Sequence, residues 1–403
     1  MTRCDYKSAV QVLTDSAVPI GTQKVEIEDA VGRVLAKAVT ASENVPSFDR
    51  SPYDGYAFRA EDTVGAAKGS GVTLNVIENI RAGQVAKRTV ESNTAIRLMT
   101  GAMIPEGADA VCKYEETDFN DTEVTIKRQF RSQENIIRAG EDIKAGVELA
   151  TAGTVIDAGL IGALASIGMT EIAVYRRPVA GIISTGDEVT DDAGDLLPGK
   201  IRNSNRYTMS AALRAIGYDT VYLGHVSDDV DAIADLADTD AGRCDVVIST
   251  GGVSAGDFDL VPDAMEHAGY EILVRHVGMK PGMACAYGVR EGRLWLALSG
   301  NPASALTNLQ CICYPALKKL AGYTEYDHKI IRFRLMQECK KAGAGTRFLR
   351  GRAEYVDGEV YLNTPPRQGN VVISSAKGCN AYGILTDMTA PVKKGTMIEG
   401  FFI

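Results

Sequence analysis

From residue 179 onward the chain alternates uninterrupted apolar runs with amphipathic segments, and few folds accept that pattern. The runs lie at residues 179–184, 220–223 and 246–249, with helical periodicity starting at Arg206 and again after Asp228. A strand that is apolar along its whole length is buried on both faces, so the alternation predicts a parallel, doubly wound sheet with helices on either side. Two more strands, at residues 272–277 and 294–298, lead into a long helix over 302–320, and the domain ends near Tyr323. Ligands of such sheets bind beyond the C-terminal ends of the strands, so those loops come first in any search for a site.

With 403 residues the chain has room for roughly two to four domains. A helix is predicted over Tyr6–Ser16 and a second helical stretch over 27–36, where Val31, Val34 and Leu35 recur at helical spacing. Residues 45–55 are a loop. Short alternating runs at 72–77, 94–98, 110–113 and 123–126, each bounded by turn residues, then predict a small inserted β-rich domain. Between 140 and 175 come a turn, a short strand and a helix over 159–167, expected to return to the N-terminal piece and make that domain discontinuous. Beyond residue 330, β-type runs at 361–362, 371–374 and 381–385 predict a C-terminal β domain. The division is therefore 1–50 with 140–176, 51–139, 177–325 and 326–403: a multidomain α/β plus β protein.

Forty-three Lys and Arg against 52 Asp and Glu give a formal charge of −9, which argues against a nucleic-acid or anionic-membrane binder. An anionic ligand must then be held locally. The N-terminus shows no signal-peptide pattern, and the longest apolar stretch, 158–169, falls well short of a membrane span. Eight cysteines without a C-x-x-C pair indicate neither zinc nor a disulfide framework, so a soluble protein of the reducing cytoplasm is expected.

The run at 179–184 continues into Thr185, Gly186, Asp187 and Glu188, which places two carboxylates just past a strand end. The run at 246–249 ends in Thr250, Gly251, Gly252, Val253 and Ser254, followed by Asp257 and Asp259. Backbone N–H groups freed by glycine suit an anion and the two aspartates a hard cation, so together the loops fit a phosphate with Mg²⁺. Either loop alone is equally an ordinary strand-to-helix turn. Asn301 to Ser304 open the long helix, and with Lys280 nearby their N–H groups could bind an oxyanion, although Pro302 and Ser304 also serve plain helix initiation.

Other features carry no chemistry. GDLLPGK at 194–200 imitates a phosphate loop, but Ile201 stands where Ser or Thr must meet Mg²⁺. Cys311 and Cys313, two apart on a helix, point in divergent directions. No pair of the four histidines has metal or triad spacing. Loops at 51–57, 97–107 and 135–142 read, by composition alone, as turns with solvated faces.

Eight stretches nevertheless carry a resemblance: SPYDGYAFRAED (51–62), RLMTGAMIPEGADAV (97–111), RAGEDIKAG (138–146), STGDEV (184–189), KIRNSNRYTM (200–209), DVVISTGGVSAGDFD (245–259), MKPG (279–282) and SGNPASA (299–305). Through them nearly the whole chain resembles the molybdopterin molybdenumtransferases, the molybdate insertases of molybdenum-cofactor synthesis, whose relatives include the E domain of gephyrin. The resemblance implies a homodimer in which the inserted β domain of one subunit faces the α/β domain of the other. It implies insertion of molybdate into adenylylated molybdopterin, with Mg²⁺-assisted cleavage that releases AMP. Asp54, Thr100, Asp142, Glu188, Asp228 and Asp259 are the implied catalytic residues, with Glu188 and Asp259 holding Mg²⁺. Gly251, Gly252 and Ser254 would cradle the pterin phosphates, with Asn205, Asn301 and Pro302 as further substrate contacts. Lys280 and Ser304 would meet molybdate, joined by Arg350 and Ser374 from the C-terminal domain. The upstream adenylyltransferase and the recipient apoenzymes are implied partners.

The chain departs from the family's usual K-P-G-K-P at Met283 and Ala284, which removes one cation from the oxyanion and bears on the choice of molybdate over tungstate. Ser299 replaces the usual proline of P-G-N-P. A molybdopterin adenylyltransferase is the rival enzyme, but it usually reads G-G-T-G at 251–254 and lacks the flanking β domains. A non-catalytic anchor of gephyrin-like fold is the other alternative, and it would not need the carboxylates retained here.

Overall fold

The computed structural model describes residues 4–239, 243–253, 260–340, 343–388 and 390–403. The chain forms two compact units, one of Met1–Lys37, Ala152–Ile156 and Ile172–Ile403, the other of Ala38–Thr151 and Asp157–Glu171.

The first unit contains the α/β domain. Its elements are β1 (Val179–Thr185), α1 (Ser204–Ala215), β2 (Asp219–Val226), α2 (Val230–Thr239), β3 (Val246–Thr250), α3 (Val261–His267), β4 (Glu271–Arg275), β5 (Cys285–Arg290), β6 (Arg293–Leu298), α4 (Pro302–Asn308) and α5 (Tyr314–Leu320). The sheet order is β2-β1-β3-β6-β5-β4. Alternate strand residues face opposite layers: Ile182, Ile248 and Leu296 pack toward Met209, Leu213 and Leu317, while Ile183, Val247 and Trp295 pack toward Ile233, Val261 and Met265. The chain leaves β1 for β2 on one side and returns to β3 on the other, so a crevice opens at their C-terminal ends.

β2, β1, β3 and β6 pair in parallel as expected; β5 alone runs the other way, antiparallel to both β6 and β4, so β4 keeps the common direction. Only Glu291 and Gly292 link β5 to β6, both at positive φ (52° and 80°), and a two-residue turn of that kind can join only antiparallel strands. The long helix over 302–320 is also modified, because a π-helical segment, Leu309–Cys313, separates α4 from α5.

Before this domain, the helix Tyr6–Ser16 forms as expected, with Asp5 accepting from the N–H groups of Lys7 and Ser8 at 3.0 and 3.1 Å. Its Ala9 and Leu13, four apart, join the α/β core. The second expected helix, 27–36, is absent. Ile27–Asp29 make one 3-10 turn, Gly32 takes φ 74°, and Val34 and Leu35 form bridges to Val155 and Val174. Backbone pairing with β-branched partners overrides the helical spacing.

The C-terminal domain is a closed barrel of β7 (Ile331–Leu335), β8 (Gly343–Val356), β9 (Glu359–Asn363), β10 (Ala381–Met388) and β11 (Met397–Phe402), in ring order β8-β9-β7-β11-β10 and back to β8. Phe333, Leu349, Leu362, Leu385 and Ile398 fill it. Residues 371–374, expected as a strand, instead lead into a 3-10 turn, Ile373–Ala376, where Ser375 Oγ donates to Val372 O at 2.6 Å. A side-chain bond to local backbone competes there with sheet pairing.

The second unit is built on a six-stranded sheet in the order Ala110–Lys113, Gly55–Phe58, Thr94–Leu98, Val72–Ile80, Glu123–Ile126, Thr117–Phe119, with the helix Ala158–Ser166 capped by Asp157. Among the described residues, no helix is long and apolar enough to cross a membrane, and no disulfide joins any of the eight cysteines.

Candidate active site

The crevice at the switch point is a cleft of about 830 Å³, walled by the loops after β1, β3 and β6 and by the barrel's β8 and residues 368–373. That size suits a small-molecule ligand. Its floor depends on backbone closeness. Gly251 takes φ 106°, and a Cβ there would lie 2.5 Å from Thr185 Oγ1 and 2.8 Å from Thr185 O. Gly300 approaches Gly251 so that its own Cβ would stand 3.5 Å from the Gly251 Cα. At Gly251, glycine is therefore required for the loops after β1 and β3 to meet.

Two buried polar atoms that line the cleft have no protein partner among the described residues. Asn205 Nδ2 donates to Gly300 O at 2.8 Å, which fixes the amide and leaves Oδ1 buried and unpaired. Thr250 Oγ1 is likewise buried and unpaired at the end of β3. Buried polar groups normally find partners, so these two are aimed at a ligand. Among the described residues, the charged residues of the lining are Arg202, Lys280 and Arg347 against Glu188. In a protein of net charge −9, the described lining thus gathers three cations against one anion.

Glu188 folds back over Gly186, its Oε2 only 2.6 Å from where a Gly186 Cβ would stand. Asp228, half-buried after β2, has its carboxyl raised, first by burial and then by the negative charges of Asp187 and Glu188. His225 Nε2 pairs with Gly186 O at 2.9 Å. Three carboxylates thus share one corner beside the cleft, although among the described residues no three metal-ligating side chains converge on one point.

Gly251, Gly252, Asn205, Lys280, Asn301, Pro302, Ser304 and Glu188 all line this one cleft. Ser304 is buried, and its N–H is shared between Asn301 O and Asn370 O at 3.0 and 3.1 Å. Ser254 and Asp259 lie outside the described residues. Asp54, Thr100 and Asp142 belong to the other unit. There Asp54 Oδ1 accepts from the Thr100 N–H at 2.6 Å and from Thr100 Oγ1 at 2.8 Å, which holds its carboxyl below the usual range, while Asp142 is exposed. Gly55 next to Asp54 crosses so close to Cys112 O that no side chain fits.

Arg350 and Ser374 do not line the cleft. Arg350 is completely buried beneath α4, donating to Thr307 Oγ1 at 2.8 Å, Ser375 Oγ at 2.9 Å and Ala303 O at 3.4 Å, and so it cannot touch a ligand in the cleft. Ser374 is exposed on the 3-10 turn. Residue reasoning missed Thr250 as a polar contact, although its place at the strand end signals it. It also missed Arg202 and Arg347, which no motif marks.

The fold and cleft define an enzyme of the doubly wound α/β kind with a cation-lined cleft at the switch point. Residues 4–168 match the family described as MoeA N-terminal region (domain I and II), and residues 181–319 match the probable molybdopterin binding domain. The molybdopterin molybdenumtransferase of Staphylococcus epidermidis is 34% identical over 399 residues, 99% of this chain and 95% of that protein. That of Staphylococcus aureus strain Mu50 is 36% identical over 347 residues, 86% and 83% of the two chains. A crystal structure of the molybdopterin biosynthesis MoeA protein from Pyrococcus horikoshii superposes with a TM-score of 0.87 at 27% identity, covering 100% of this chain and 99% of that one. The chain belongs to the molybdopterin molybdenumtransferase family, a transferase that inserts molybdenum in molybdenum-cofactor biosynthesis.

Proposed function

We propose that the chain inserts molybdate into adenylylated molybdopterin and, with Mg²⁺, cleaves the adenylate to release AMP. The observation that carries this reading is the cleft itself, where unpaired Thr250 Oγ1 and Asn205 Oδ1 and the close-set Gly251 and Gly252 accompany three cations. Hydroxyl, amide and backbone N–H groups suit pterin and phosphate oxygens, and the cations suit an oxyanion.

The negative charges of Asp187 and Glu188, which add to burial in raising the Asp228 carboxyl, would be relieved by a divalent cation at this corner. Mg²⁺ commonly takes one or two carboxylates and fills its shell with water and phosphate oxygens, so Glu188 with Asp259 and the substrate's phosphates would suffice. Bound there, it would neutralise charge developing on the phosphoryl oxygens. Glu188 lines the cleft from the turn after β1, and Gly251 and Gly252 after β3 would hold the phosphates there.

The active form is proposed to be a homodimer, with Asp54, Thr100 and Asp142 of one subunit serving the cleft of the other. The two carboxylate groups belong to separately compact units. The test is AMP release from adenylylated molybdopterin with molybdate and Mg²⁺ under anaerobic conditions. Glu188→Gln and Asp54→Asn are each expected to abolish release while pterin binding persists. After mixing and subunit exchange, half the dimers carry one intact site, so about one quarter of wild-type release should return. Full turnover in Glu188→Gln would remove the metal assignment, and no recovery on mixing would remove the shared site.

A further inference from the structure

The two-residue strand Met279–Lys280 pairs in parallel with β8, in a register that sets Lys280 against Arg347. Register partners on neighbouring strands lie about 4.8 Å apart and carry their side chains on the same face. Both residues line the cleft. On the other side of Arg347 the partner is Leu385 of β10, which is neutral. Among the described residues, neither cation has a carboxylate within ion-pair distance, whereas Arg176 pairs with Asp245, Arg206 with Asp191 and Arg290 with Asp238. Like charges directly opposite one another in a sheet destabilise it. Two such cations kept side by side, unpaired and facing a cleft, are relieved when an anion sits between them.

We propose that Arg347 is the second cation of the oxyanion end of the cleft and that, with Lys280, it clamps a tetrahedral dianion; the inference rests on the proposed function above. The two side chains divide the work. Lysine is a compact point charge, while the guanidinium fork of Arg347 can donate two parallel bonds to two oxygens of the same anion. Met283, which lines the same cleft, contributes no charge, so Arg347 compensates from another domain for what the 280–284 loop lacks. Selectivity among tetrahedral oxyanions then depends on how far β8 stands from the Lys280 loop.

Molybdate binding measured by equilibrium dialysis, together with the molybdate concentration giving half-maximal AMP release, tests this. Arg347→Gln is expected to weaken molybdate about tenfold and leave adenylylated-pterin affinity within about twofold. Arg347→Lys keeps the charge but loses the fork, so it serves as a folded reference whose molybdate affinity is expected between those of wild type and Arg347→Gln. Adding Met283→Lys to Arg347→Gln should recover most of the loss. If Arg347→Gln binds molybdate as wild type does while Lys280→Gln binds it poorly, Arg347 is not a ligand and the inference is overturned. If both bind normally, the oxyanion is held elsewhere and the proposed site falls as well.

Discussion

Gly251→Ala tests whether the cleft floor depends on backbone contact between the loops after β1 and β3. The residue has φ 106°, a region that side chains rarely adopt, and forcing alanine there costs about 1–3 kcal/mol. The new Cβ would also stand 2.8 Å from the Thr185 carbonyl oxygen, which cannot swing away because it ends β1. Overpacking of this sort adds about 1–3 kcal/mol, for a total near 4 kcal/mol. Gly292→Ala is the control: its φ is 80°, but nothing lies within 4 Å of the added Cβ, so only the conformational part, about 1–2 kcal/mol, should appear. The chain's one tryptophan, Trp295, is wholly buried on β6 beside β3 with its Nε1–H donating to Ser249 Oγ at 2.9 Å, and its fluorescence reports unfolding of this sheet in urea. Gly251→Ala should lower the midpoint more than Gly292→Ala and weaken pterin binding at least about tenfold. Equal losses for the two variants, with pterin affinity intact, would refute the close-contact account.

Two further outcomes follow from burial. Arg350→Met should change stability by less than about 1 kcal/mol, because Thr307 Oγ1 still donates to Ala303 O at 2.8 Å and Ser375 Oγ to Val372 O at 2.6 Å, leaving no orphan. Molybdate dependence should stay near wild type, and a tenfold loss in dialysis would restore Arg350 as a ligand. His328 stacks on Phe401 with ring centroids 3.8 Å apart, and burial, aided by the charge of Lys318, pushes it from 6.5 to about 4. A folded pKa below the unfolded one means that stability is full above about pH 6.5 and is lost as pH falls toward 4, by at most about 3 kcal/mol and less for a half-buried ring. His328→Phe should flatten that decline in thermal unfolding, and parallel curves for the two proteins would sink the assignment.

The α/β domain was legible because its strands are apolar on both faces and its helices periodic, two signals that local sequence carries. What local sequence does not carry is the choice of partner. Residues 27–36 have helical spacing yet pair as extended chain with Val155 and Val174, more than a hundred residues away. Residues 371–374 have strand composition, but the barrel closes through β8, β9, β7, β11 and β10 without them. β5 escaped notice because Gly288 and the polar ends interrupt its apolar run, although the Glu291–Gly292 turn that fixes its direction was present in the sequence.

The site divides in the same way. Loops that follow a strand end can be found from sequence, since the fold obliges ligands to sit there, and Gly251, Gly252, Glu188 and Ser304 all came to light by that route. A residue such as Arg347 gives no such sign, because it sits mid-strand in another domain and reaches the cleft only through its register with Lys280. Arg350, three residues on, shows the converse: the alternation of β8 turns it into the interior under α4. Counting charge along the 280–284 loop therefore finds a deficit at Met283, whereas counting it in space finds the cation on the neighbouring strand. The strength of oxyanion binding in this family member should accordingly depend on how firmly the barrel is seated against the α/β domain. Phe348, one residue from Arg347, contributes to that seating: its ring meets Tyr6 of the N-terminal helix edge-on at 5.4 Å and joins the core of the α/β domain.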